Sequence, residues 1–133
     1  AVGCLSEDKA MRAVEDYDLW LKIARTTDSF LLIPEYLGGY LISGINSSNV
    51  SFEMIDKIDA VYDNNAGFLN DKIRKEAFYT KEYTKGRYLF DLSDYAKALK
   101  CFSLSRLSNN IEFKTKSFIM ILLSTILKFI KST

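Results

Sequence analysis

The stretch Val14-Glu15-Asp16-Tyr17-Asp18-Leu19-Trp20-Leu21-Lys22-Ile23-Ala24-Arg25 decides how this chain is read. Leu19, Trp20, Ile23 and Ala24 recur at i, i+1, i+4 and i+5, which draws one apolar stripe on a helix of 3.6-residue period beginning near Asp16. Glu15, Asp16 and Asp18 then fall in or just before the first turn. Free backbone N–H groups and the positive end of the helix dipole favour negative charge there, so a capped helix accounts for these residues without any function. A second account gives them chemistry: a carboxylate held at the start of a rigid helix is well placed as a general base.

The string Glu15-Asp16-Tyr17-Asp18-Leu19-Trp20-Leu21, followed by Ile33-Pro34-Glu35-x-Leu37-x-x-Tyr40, resembles the C-terminal part of family-two glycosyltransferases, whose fold is called GT-A. The resemblance covers residues 1 to 48, and it implies an acidic pair opening a helix beside the acceptor site. By position the catalytic Asp of that pair is Asp16, which would deprotonate the acceptor hydroxyl that attacks a nucleotide-sugar donor with inversion; Glu15 is its motif partner. Also implied are a glycan or lipid-linked acceptor and a divalent cation, Mg or Mn, on the donor's diphosphate. The strand-rich donor-binding half that the resemblance requires is not in these 133 residues. The chain is therefore expected to be a fragment of a longer transferase, inactive alone and holding no cation itself.

Tyr17 and Trp20 are the candidate acceptor contacts, since a flat aromatic face can stack on a sugar. Trp20 also lies on the apolar stripe, where core packing is the competing role. Glu7 and Asp8, in the loop before the pair, read as solvated surface, with substrate contact as the alternative. Two features depart from the family. Its usual Tyr-Arg-x-His is replaced by Tyr40-Leu41-Ile42-Ser43, which removes groups that help hold the leaving diphosphate. Asp16-Tyr17-Asp18 has the letters of the family's Asp-x-Asp metal motif, but two residues apart on a helix the carboxylates diverge by about 200°, so a shared cation is not expected there.

Composition narrows the alternatives. The chain has no histidine and two distant cysteines, Cys4 and Cys101, which leaves no zinc site and no Ser/His or Cys/His nucleophilic centre. Free thiols in a reducing compartment are expected, so a cytoplasmic protein, at the inner face of the membrane if it meets lipid; a Cys4–Cys101 bridge stays open. Residues 1 to 66 carry 5 Lys and Arg against 11 Asp and Glu, a net −6, whereas residues 67 to 133 carry 13 against 6, a net +7. The two halves attract one another within the fold, or the basic half faces anionic phospholipid. Its lysines and arginines are scattered without a nucleic-acid-binding signature, so nucleic acid is not an expected partner.

Further along, Phe30-Leu31-Leu32-Ile33 and Tyr36 to Ile42 have the length and apolar content of two short strands, broken by Pro34. Such strands are expected to pair with a sheet supplied elsewhere, or with another copy in a homo-oligomer. Helix is expected from Ser51 to about Tyr62 with Asn49 or Ser51 as cap, then through residues 68 to 90, 95 to 104 and 112 to 131. Residues 86 to 102 resemble one tetratricopeptide-type helical hairpin, too few to build a solenoid. The last helix has a narrow polar stripe of Ser117, Ser124, Lys128 and Lys131 and a wide apolar face. That face either packs on the preceding helices or lies at a membrane surface, and its apolar run is too short to span a bilayer. The whole is expected to be mainly α with two short β-strands: residues 1–48 as the acceptor-side end of an α/β GT-A domain, and 49–133 as a helical extension. The alternatives are a helical protein-interaction module and a peripheral membrane-associating helical domain.

Overall fold

The computed structural model describes residues 3–39 and 50–132. A 3-10 turn at Lys9–Met11 precedes five α-helices among these residues: α1 (Glu15–Ala24), α2 (Phe52–Ala66), α3 (Asp71–Asp91), α4 (Tyr95–Ser105) and α5 (Ile111–Ser132). Short polar side chains start most of them by accepting from orphan N–H groups of the first turn. Ser51 Oγ accepts from Met54 N at 3.2 Å and opens α2, while Asn70 Oδ1 accepts from Ile73 N at 3.0 Å and opens α3. Asp94 Oδ1 accepts from Lys97 N at 3.1 Å at the start of α4, and Asn110 Oδ1 from Glu112 N at 2.9 Å at the start of α5. Arg74 then ties the end of α2 to α3, donating to Ala66 O at 3.1 Å and to Leu69 O at 2.8 Å.

Among the described residues the expected strands do not form. Phe30–Ile33 and residues 36–39 have no regular structure, and residues 40–42 lie outside the described part of the chain. Leu31, Leu32 and Tyr36 are 90%, 86% and 105% exposed. A strand persists only when its N–H and C=O groups pair with a neighbour and one face is covered, and the described residues contain no strand to pair with. The described chain is thus all helical, which overturns the reading of an α/β GT-A fragment with two strands.

The core is built around α4. Ala98, Phe102 and Ser105 are all fully buried, and Phe102 lies against Gly86 of α3 and the ring of Tyr83, whose centroid is 5.8 Å away. Leu89, Cys101 and Met120 complete the cluster together with Ile55 of α2. Burial and the nearby charge of Glu82 push the Cys101 thiol up to about 11, so it is an inert core group. Cys4 is exposed and unbridged. Glu76 of α3 clamps the α4–α5 turn by accepting from Ser108 Oγ, Asn109 N and Asn109 Nδ2 at 2.6, 3.0 and 2.8 Å. Between α2 and α3, Asp59 pairs with both Lys81 and Lys85.

The last helix docks the other way round from the core-packing reading. Ser117 and Ser124 are fully buried, Ser117 sharing a 2.7 Å hydrogen bond with Ser105 of α4, while Phe118, Leu122 and Ile126 are at least half exposed. Small side chains let the α5 backbone approach α4 closely, so the serine stripe, flanked by Met120 and Ile121, becomes the packed face and the rest of the apolar face is left outside.

The Gly86–Phe102 contact sets a test. A Cβ at residue 86 would lie 2.7 Å from Phe102 Cε1. In an open helix Gly→Ala adds about 1 kcal/mol of stability. Here overpacking against a fully buried ring outweighs that gain, and Gly86→Ala is expected to lower the urea-unfolding free energy by roughly 1–2 kcal/mol. A stabilised variant would contradict the packing described.

Candidate functional site

The entry to α1 is a tight corner. Asp8 starts the 3-10 turn by accepting from Ala10 N at 2.9 Å, so it serves as a cap on the surface. Val14 N then bonds Met11 O at 3.0 Å, and Ala13 takes a left-handed φ of 72°. That conformation costs an alanine about 1 kcal/mol or more, and it aims the chain into α1. Val14 offers α1 no side-chain cap, so the carboxylates of Glu15, Asp16 and Asp18 face an uncapped, positively polarised helix start. Asp16 Oδ1 accepts from Tyr17 N at 2.7 Å, which orients the carboxylate.

From this start the three acids take different surroundings. Asp18 is fully buried and is the anchor of α1: it accepts from Asn65 Nδ2 of α2 at 2.8 Å and pairs with Lys22 at 2.6 Å. Burial alone would raise its pKa. The hydrogen bonds from Lys22 and Asn65 and the charges of Lys22 and Arg25 outweigh it and hold the carboxyl below its ordinary value of 3.8. Glu15 is half-buried, and its Oε2 is buried with no hydrogen-bond partner among the described residues. Asp16 faces outward.

Asp16 and Tyr17 sit on the wall of a cavity of about 480 Å³ between α1, α2 and α3, together with Arg25, Asn65, Tyr62 and Lys81. Its wall mixes apolar side chains with a few convergent polar groups, the usual make-up of a small-molecule site. Glu15 and Trp20 do not line it. Trp20 is 65% exposed and Tyr17 56% exposed, so neither is a core residue and the packing role for Trp20 is overturned. Trp20 lies one turn beyond Asp16 on the same side of α1, as i, i+4 neighbours do. Asp16, Tyr17 and Trp20 therefore share an open surface at the cavity's edge, and Glu15 stands apart from it.

Arg25 closes the far end of α1, its guanidinium stacked 3.8 Å from the centroid of the Phe68 ring. Asp18 and Asn65 were missed as site residues in the sequence. The signal for Asp18 was its place about 200° around the helix from Asp16, which requires one of the two to face inward if the other faces solvent. For a divalent cation the described residues offer no fit: no group of three or more His, Cys, Asp or Glu is placed to hold one.

Asp18 holds Asp16 in place, and this can be measured. Asp18→Asn is expected to cost roughly 1–2 kcal/mol at neutral pH and to speed amide exchange in α1 more than in α3 or α4. The native carboxyl is held below 3.8, so its stabilisation is complete above that value and is lost as pH falls through the lower native one. The gap between wild type and variant in urea titrations should accordingly narrow below pH 3.8. A gap that widens in acid would contradict the ion pair.

Comparison of the chain with protein-family models, with curated proteins and with solved structures finds no match.

Proposed function

We propose that this chain supplies the acceptor side of an inverting glycosyltransferase, with Asp16 as the general base. The observation that carries the reading is the open face at the start of α1. There an exposed, oriented carboxylate stands beside two exposed aromatic rings, those of Tyr17 and Trp20, at the edge of a cavity. The resemblance of Glu15-Asp16-Tyr17-Asp18-Leu19-Trp20-Leu21 to family-two transferases supports it further.

In this mechanism the indole of Trp20 or the ring of Tyr17 stacks on the apolar face of an acceptor sugar and brings a hydroxyl to Asp16. Asp16 accepts the hydroxyl proton as the oxygen attacks the anomeric carbon of the nucleotide sugar. The nucleoside diphosphate leaves from the opposite face, so the configuration inverts. With one carboxylate oxygen held by Tyr17 N–H, the other is free to take the proton without rotating away. Glu15, half-buried next to Asp16, acts on the helix start and not on the substrate. The donor, and Mg or Mn on its diphosphate, would be held outside the described residues.

A helical interaction module is the second reading, favoured by the α3–α4–α5 layer and its uncovered apolar face. One substitution separates the two. In the complete enzyme Asp16→Asn is expected to reduce kcat by about 10² to 10⁴ while the circular dichroism spectrum is unchanged. Full transfer activity in the folded variant would leave Asp16 as a helix cap and favour the interaction module.

A further inference from the structure

The outer face of α5 is an extended apolar surface left uncovered among the described residues. Phe118, Ile119, Leu122, Leu123, Ile126 and Ile130 are between 43% and 63% exposed. At about 100° per residue they occupy an arc of about 140°. Soluble surfaces carry scattered apolar side chains but seldom a continuous row of this length. The row is continuous because the serine stripe of the same helix, and not its apolar face, is seated on α4.

What borders the row indicates what covers it. Lys114 stands four residues before Phe118, just outside one edge of the arc, and Lys116 stands just outside the other, both exposed. Glu112, the one acid of α5, is paired with Lys116. Thr115, within the arc, turns its hydroxyl onto Ile111 O at 2.9 Å, so that it needs no water. Among the described residues no helix is long and apolar enough to cross a membrane. An apolar arc flanked by lysines on a helix of this kind is the geometry of interfacial binding, with the long lysine side chains reaching past the apolar row to headgroups. A second copy would set lysine edges against lysine edges. The basic character of residues 67 to 133, 13 Lys and Arg against 6 Asp and Glu, points the same way.

We propose that the outer face of α5 seats on an anionic phospholipid surface, lying in the interface with Phe118, Leu122 and Ile126 inserted, Lys114 on the headgroups and Lys116 neutralising Glu112 at the other edge. This function is separate from that of Asp16 and stands or falls independently of it.

Flotation with vesicles of phosphatidylcholine and phosphatidylglycerol, against phosphatidylcholine alone, tests the proposal. The chain is expected to float with the anionic vesicles and to partition at least tenfold less onto the neutral ones. Lys114→Ala should reduce partition about fivefold, the worth of one unpaired lysine at an anionic surface. Leu122→Ser with Ile126→Ser should abolish it, and since both residues are half exposed the helical spectrum should be retained. Absence of flotation, or equal flotation on both lipids, would overturn the proposal. So would a monomer–dimer equilibrium in sedimentation that the Leu122→Ser and Ile126→Ser pair removes without any lipid binding, which would assign the face to a second copy.

Discussion

The contact on which the structure depends is the ring of Phe102 laid on the bare backbone of Gly86. It lets α3 and α4 approach with only that ring between them at this point, and it fixes the rotation of α4 about its own axis. With Phe102 turned toward α3, Ala98 and Ser105 are buried as well, and Ser105 meets Ser117 of α5. Each of these positions is small or fully enclosed, so the orientation of α5 follows from that of α4. The uncovered apolar face of α5 is therefore a consequence of the core, and not a failure of packing.

The acidic start of α1 is attached by different physics. No apolar residue of α1 is buried; the one buried residue of that helix is Asp18, held by Asn65 and Lys22. A charged anchor of this sort fixes geometry more than it stabilises, because desolvation offsets much of the attraction. Its effect is directional. With Asp18 turned inward, Asp16 must turn outward, and Tyr17 and Trp20 go with it to the edge of the cavity. The chemistry proposed for Asp16 rests on that single buried carboxylate.

Much of this was readable from the residues alone. The cap Ser51, one of two candidates, the helical spacing of Phe52 to Val61 and of Tyr95 to Leu104, and the divergence of Asp16 from Asp18 all follow from local rules, whereas α3 begins at Asp71 behind Asn70 and not at residue 68. Phe30-Leu31-Leu32-Ile33 was misread because a short apolar run states only that it is apolar; whether it is a strand depends on a partner elsewhere. The α5 stripe shows a second limit. Periodicity separates two faces of a helix but does not say which one meets the core, and here the small serines won over the larger apolar side chains by allowing close approach. Asn65 was invisible for a similar reason, as its role exists only once α1 and α2 are side by side.

Hydrogen exchange followed by mass spectrometry on the intact chain tests the account most directly. Amides of α3 and α4 around Gly86 and Phe102 should exchange slowest and only through global unfolding; those of α1 should open at lower free energy, and residues 30 to 37 should exchange at close to the rate of free peptide. Strong protection of residues 30 to 37 would mean that they pair as a strand after all. Protection of α1 equal to that of α4 would contradict its attachment through one buried carboxylate.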